Sequence, residues 1–81
     1  MKIFIPIDSR TIIFQPYKEC NKAIIGYNPE TKQLIYSMLL LIEIFMQMND
    51  WSWNESIEWI EYNMIQEQEF WPIVIDDLGE M

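Results

Sequence analysis

The spacing of apolar and polar residues changes several times along the chain, and each change marks an element. The densest apolar run is Ser37–Asp50, SMLLLIEIFMQMND. Ser37 suits an N-cap, and Asn49 and Asp50 suit a helix end. Between them only Glu43 and Gln47 are polar, four apart on one face, so the pattern predicts a central helix covered on nearly every side. That cover comes from the rest of this chain, or partly from a partner or from a second copy in a homodimer built through the Ser37–Asp50 helix. Met38–Met48 is too short to cross a bilayer.

Upstream, Lys2–Ile7 alternates around Ile3, Ile5 and Ile7 and reads as a strand. Pro6 lacks a ladder donor, which assigns it to a sheet edge or a strand end. After a turn at Asp8–Arg10, Thr11–Gln15 is a β-branched and aromatic run stopped by Pro16, so the two runs can pair as a hairpin. Tyr17–Lys22 is polar and reads as a loop. Ala23–Tyr27 and Leu34–Tyr36 flank Asn28-Pro29-Glu30-Thr31-Lys32-Gln33, where Asn followed by Pro presets a type I turn and the spacing fits a second hairpin. Gly26 inside that hairpin marks either a bulge or the close approach of another group, such as the central helix.

Downstream, Ser52 with Glu55 three residues on is a capping box, and a second helix is predicted from there to Gln66 or Gln68. Trp53, Ile57, Ile60 and Met64 form its inward stripe. Glu55, Glu58, Trp59 and Tyr62 share the other side. Its two aromatics are either covered by the N-terminal hairpin or the tail, or available to a partner. Phe70–Ile75 reads as a last strand; Val74 opposes Ile73 and Ile75, which predicts a place inside the sheet or beneath a neighbour. Asp76–Met81 reads as an acidic tail that frays. Together these elements predict one α+β domain over residues 1–81, in β-β-β-β-α-α-β order, with an antiparallel-rich sheet and two consecutive helices on one face. Its parts are N-terminal strands and a loop (1–21), a hairpin, two helices and a last strand (22–75), and the tail (76–81).

Composition agrees with a folded domain: 51% of the residues are hydrophobic and 15% aromatic, enough for a core even at 81 residues. The single cysteine, Cys20, excludes an internal disulfide, and MKIFIPID lacks a secretory leader pattern, so a cytoplasmic protein is expected. Charge changes the picture further. All five basic residues (Lys2, Arg10, Lys18, Lys22, Lys32) precede residue 33, against three acids there; the other ten acids follow without one base. The C-terminal half therefore cannot neutralise phosphates, which argues against direct nucleic-acid binding by that half. Such a field attracts a basic protein surface, or serves only solubility.

Candidate chemistry is sparse. The chain has no histidine, the usual general base near neutral pH. Cys20 lies near Lys18 and Lys22, which predicts a modestly lowered thiol pKa, but no base pairs with it. Glu55, Glu58 and Glu61 are spaced along an exposed helix and remain ionised. Asp76, Asp77 and Glu80 match no EF-hand spacing, and a phosphate-cradling glycine loop is absent from a chain whose only glycines are Gly26 and Gly79. No enzyme, cofactor or metal is expected.

One resemblance can be stated. Ala23-Ile24-Ile25-Gly26-Tyr27, then Leu34-Ile35-Tyr36-Ser37, then Ser52 followed by Glu55-Ser56-Ile57-Glu58-Trp59-Ile60-Glu61-Tyr62-Asn63, then Pro72-Ile73-Val74, resembles a family of small uncharacterised bacteriophage and mobile-element proteins. Those carry a hairpin ending in I/V-Y-S, an apolar helix, an EEAIEYxEYN-type helix and a final TPI-V strand. Residues 22–75 carry the likeness. The family's Gly-Ala-Tyr-x-Gly segment is replaced here by the shorter Gln66-Glu67-Gln68-Glu69-Phe70, and Thr11–Gln15 is additional. The resemblance implies a phage-encoded protein acting in the host cytoplasm and assigns no catalytic residue. Combined with the charge asymmetry, it predicts a stoichiometric binding protein that inhibits a host protein with a basic surface, of the anti-defence or anti-CRISPR type, with a nucleic-acid-binding site as one candidate target. The predicted contact residues are Glu55, Glu58, Trp59 and Tyr62. The alternatives are a structural homo-oligomer and a small-ligand binding protein.

Overall fold

The computed structural model describes residues 4–6 and 11–80. Strand β1 (Phe4–Pro6) pairs antiparallel with β2 (Ile12–Phe14), with Phe4 opposite Phe14 and Pro6 opposite Ile12. Pro6 is the last described residue of β1. Lys2, Ile3, Ile7 and the Asp8–Arg10 turn lie outside the described residues. The predicted loop after Pro16 is instead one helical turn, α1 (Tyr17–Cys20), followed by a 3-10 turn at Asn21–Ala23. The Cys20 N–H donates to the Pro16 carbonyl at 3.0 Å, and Cys20 and Ala23 are both fully buried. Two small side chains three residues apart thus anchor a segment whose lysines face water, a pattern too short to stand out from its polar neighbours.

Strands β3 (Ile24–Asn28) and β4 (Gln33–Ser37) form the second hairpin. Asn28 builds its turn: Oδ1 accepts the Glu30 N–H at 3.0 Å, and the Asn28 carbonyl accepts the Lys32 N–H at 2.7 Å. Lys32 closes it in the left-handed region, φ 65°. Gly26 serves both expected purposes. The register slips between Ile24 and Gly26, leaving Ile25 as a bulge, and a Cβ at Gly26 would stand 3.3 Å from Ile35 Cδ1. The approaching group is therefore the neighbouring strand and not the central helix.

The last strand, β5 (Ile73–Ile75), is shorter than predicted and lies at the sheet edge in the order β3-β4-β5. It runs parallel to β4, with Ile35 opposite Ile73 and Tyr36 opposite Val74. Parallel pairing needs a long crossover, and the two helices between β4 and β5 supply it. Val74 packs on the core, whereas Ile73 and Ile75 are exposed, so the apolar character of both faces does not mean an inside position.

Helices α2 (Met38–Asn49) and α3 (Trp53–Asn63) pack on each other and, with β2, on the inner sheet face. The α2 side chains Met38, Leu41, Ile42 and Phe45 join Ile60 and Met64, Tyr36 and Phe14, while Glu43 and Gln47 face solvent as expected. Phe14 ties the first hairpin down: its ring lies 4.6 Å from Tyr36 and 5.8 Å from Trp71, and its N–H donates to the Tyr36 hydroxyl at 3.1 Å. Burial pushes that hydroxyl up to about 12. Among the described residues no helix is long and apolar enough to cross a membrane.

Two predicted boundaries change. Helix α3 stops at Asn63, short of Gln66, because Trp71 turns under it and donates its indole N–H to the Met64 carbonyl at 2.7 Å. The described part of the tail is tied down at Asp77 instead of fraying. The Asp77 carboxylate accepts the Ser37 hydroxyl at 2.5 Å and the Leu39 N–H at 2.9 Å, while Ser37 Oγ accepts the Leu40 N–H at 3.2 Å. The tail thus caps α2, whose own first turn has no acidic residue.

Candidate functional site

The corner between α2 and α3 is set by two backbone signals in succession. Asp50 adopts the left-handed conformation (φ 55°, ψ 41°), and the Trp51 N–H donates to the Met46 carbonyl at 3.2 Å, a Schellman-type stop. Ser52 then opens α3 with a complete capping box. Its Oγ accepts the Glu55 N–H at 3.2 Å, and its own N–H donates to Glu55 Oε1 at 3.0 Å. So short a link holds Trp51 against both helices.

Trp51 and Trp59 meet there with ring centroids 6.0 Å apart, and Phe45 from α2 lies 4.9 Å from Trp59 and 6.4 Å from Trp51. Trp59 is half-buried and packs against Phe45 and Trp51, with Gln15 and Pro16, at the end of the first hairpin, lining the same groove. It sits at the border of the α3 inward stripe, which is wider than predicted: Ser56, Ile60 and Met64 are fully buried, while Trp53 and Ile57 are partly so. Tyr62 is 87% exposed, more than any other large hydrophobic side chain among the described residues. The four predicted contact residues come together, since Glu55, Glu58, Trp59 and Tyr62 line one open hollow with Trp51 and Asn63.

The electrostatics of the hollow follow from its scaffold. The Ser52 N–H, and secondarily its hydroxyl, hold the Glu55 carboxyl below the usual carboxylate range. The capping box therefore aims and ionises one carboxylate beside the indoles. No Lys or Arg occurs after Lys32 in the sequence to compensate α3 from within its own half. Carboxylates beside π faces suit a cation, which is attracted both by charge and by the ring quadrupole.

Across the same indoles lies a second groove of about 400 Å³, mostly apolar, lined by Gln15, Pro16, Phe45, Met48, Trp51 and Trp59. Sequence reasoning missed this side and missed Trp51. The signal was present in Asn49-Asp50-Trp51-Ser52, where a helix stop abuts a helix start and leaves one residue with nowhere to point but the corner. Cys20 is corrected: it is fully buried, and desolvation first, then Glu19, push its thiol up to about 12, so the nearby lysines do not activate it. Asp77 is engaged in capping α2, and among the described residues no group of three His, Cys, Asp or Glu side chains is placed to hold a metal. A comparison with family models, with curated proteins and with solved structures gives no match to this chain.

Proposed function

We propose that this chain is a small acidic, non-catalytic binding protein, phage-encoded and acting in the host cytoplasm, that blocks a basic surface of a host protein in the anti-defence manner. One observation carries the reading: Tyr62, 87% exposed, stands in one hollow with Trp51, Trp59, Glu55 and Glu58, in a half-chain without a single base. A surface aromatic so exposed, beside two half-covered indoles, is the composition of an interface anchor. The carboxylates supply long-range attraction to a basic partner. A nucleic-acid-binding site on the host protein has the complementary charge, and occupying it inhibits without chemistry.

The experiment compares the parent chain with an E55K/E58K variant as bait for host proteins, followed by titration of the captured partner's nucleic-acid binding. The parent is expected to retain a basic partner, lose it as salt rises, and abolish its nucleic-acid binding at one-to-one stoichiometry. Equal capture by the E55K/E58K variant, or undiminished nucleic-acid binding at saturation, refutes the proposal. Trp59→Ala is expected to speed dissociation while leaving association unchanged.

A further inference from the structure

Trp51 and Trp59 are shared by two adjoining hollows of opposite chemistry. On the α3 side they meet Glu55, Glu58 and Tyr62; on the α2 side they meet Phe45, Met48 and Pro16. Both are lined by the same indole pair, so together they make a trough that is acidic toward α3 and apolar toward α2. The centroid spacing of 6.0 Å is too small for a cation to lie between the rings, so a cation would rest on their outward surface. Alternate side chains of an extended strand stand about 7 Å apart on one face, which suits two adjoining hollows that share both indoles.

We propose that this trough receives an extended segment of the partner, with an arginine on the indoles against Glu58 and Glu55, and an apolar side chain two residues away in the Phe45–Met48–Pro16 groove. The inference rests on the reading above and gives its partner a local chemistry. Arginine fits better than lysine because its planar guanidinium stacks on a ring face and still presents N–H groups to a carboxylate at its edge. Glu55 is already oriented for it, since the Ser52 N–H holds its Oε1 at 3.0 Å. Phosphate-bearing ligands are repelled by the same carboxylates, so nucleic acid and anionic membrane are excluded as occupants of this trough.

The test follows the four tryptophan indole N–H signals of the full chain by NMR while adding acetyl-Arg-Ser-Leu-amide, or the same peptide with citrulline for arginine. The arginine peptide is expected to shift the Trp51 and Trp59 signals and leave that of Trp71, which is buried and bonded to Met64. Citrulline, equal in shape and uncharged, is expected to bind about tenfold more weakly. In a Glu58→Gln variant, whose exposed site leaves folding intact, the arginine peptide is expected to weaken about fivefold and the citrulline peptide to be unaffected. Equal binding of the two peptides, or unmoved Trp51 and Trp59 signals at millimolar peptide, overturns the arginine site. If the peptide is silent while E55K/E58K still abolishes capture of a partner, the arginine site falls and the proposed function stands. If the peptide binds as expected while capture is unaltered, the arginine site stands and the proposed function falls.

Discussion

Replacing Asp77 with Ala separates the tail from the helix it caps. Two hydrogen bonds vanish, from the Ser37 hydroxyl and the Leu39 N–H, together with the carboxylate that caps the α2 N-terminus. Each bond contributes a net of about 0.5–1.5 kcal/mol, but Asp77 is partly open to water, so the loss for the pair is roughly 1–2 kcal/mol. For a domain of this size, each kcal/mol moves the melting temperature by roughly 4–8 °C, so a fall of about 4–16 °C is expected by circular dichroism at neutral pH. The pH dependence supplies a second readout with a definite sign. The Ser37 hydroxyl first, then the Leu39 N–H, hold the Asp77 carboxyl below its usual range. Its stabilisation is therefore full above the ordinary Asp value of about 3.9 and is lost as pH falls through the lower folded-state value. Parent and Asp77→Ala curves are expected to converge in acid. A variant that melts with the parent at neutral pH, or a difference that persists unchanged into strong acid, would falsify the cap.

Three further outcomes are expected, each read by thermal or denaturant unfolding. Ser56 is fully buried on α3 and its hydroxyl meets no hydrogen-bond partner among the described residues, so Ser56→Ala is expected to stabilise by about 1 kcal/mol; destabilisation would show a satisfied hydroxyl. Asp50 holds a left-handed conformation at the negative end of the α2 dipole, so Asp50→Gly is expected to stabilise by roughly 0.5–1 kcal/mol, and a loss would mean the helix ends differently. Ile60 lies at the centre of the core, so Ile60→Ala is expected to cost about 2–5 kcal/mol, with a loss below about 1 kcal/mol showing that α3 is rotated from the orientation described.

Much of the fold was legible because it rests on local rules. Ser37, the Ser52–Glu55 box, the Asn28 turn and the Gly26 bulge each act within a few residues of themselves, and each appears where its sequence signal lies. What was not legible depends on residues far apart. Trp71 shortens α3 by bonding to Met64, and Asp77 bonds to Leu39, thirty-eight residues earlier in sequence and within the first turn of α2, which begins at Met38. Neither contact has periodicity to betray it. The edge position of β5 escaped for a related reason: Ile73 and Ile75 look buried by composition, yet only Val74 faces the core. Within the candidate site, the exposed face of Glu55, Glu58 and Tyr62 follows from helical phase, whereas the half-burial of Trp59 depends on Phe45 and Trp51 arriving from outside α3.

That division bears on which substitutions can probe the α2–α3 corner. Ser52 and Glu55 start α3 and also orient a carboxylate; Phe45, Trp51 and Trp59 form the trough floor and also join the helices. A loss of binding on changing any of these has two explanations, since the same atoms stabilise the fold and present the surface. Glu58 and Tyr62 differ. Both are exposed, neither belongs to the core cluster, and both line the hollow. Changes there act on recognition with little effect on stability. The measurements at Glu58 therefore carry the functional argument, and those at Ser52 and Trp59 gain meaning only beside an unfolding curve for the same variant.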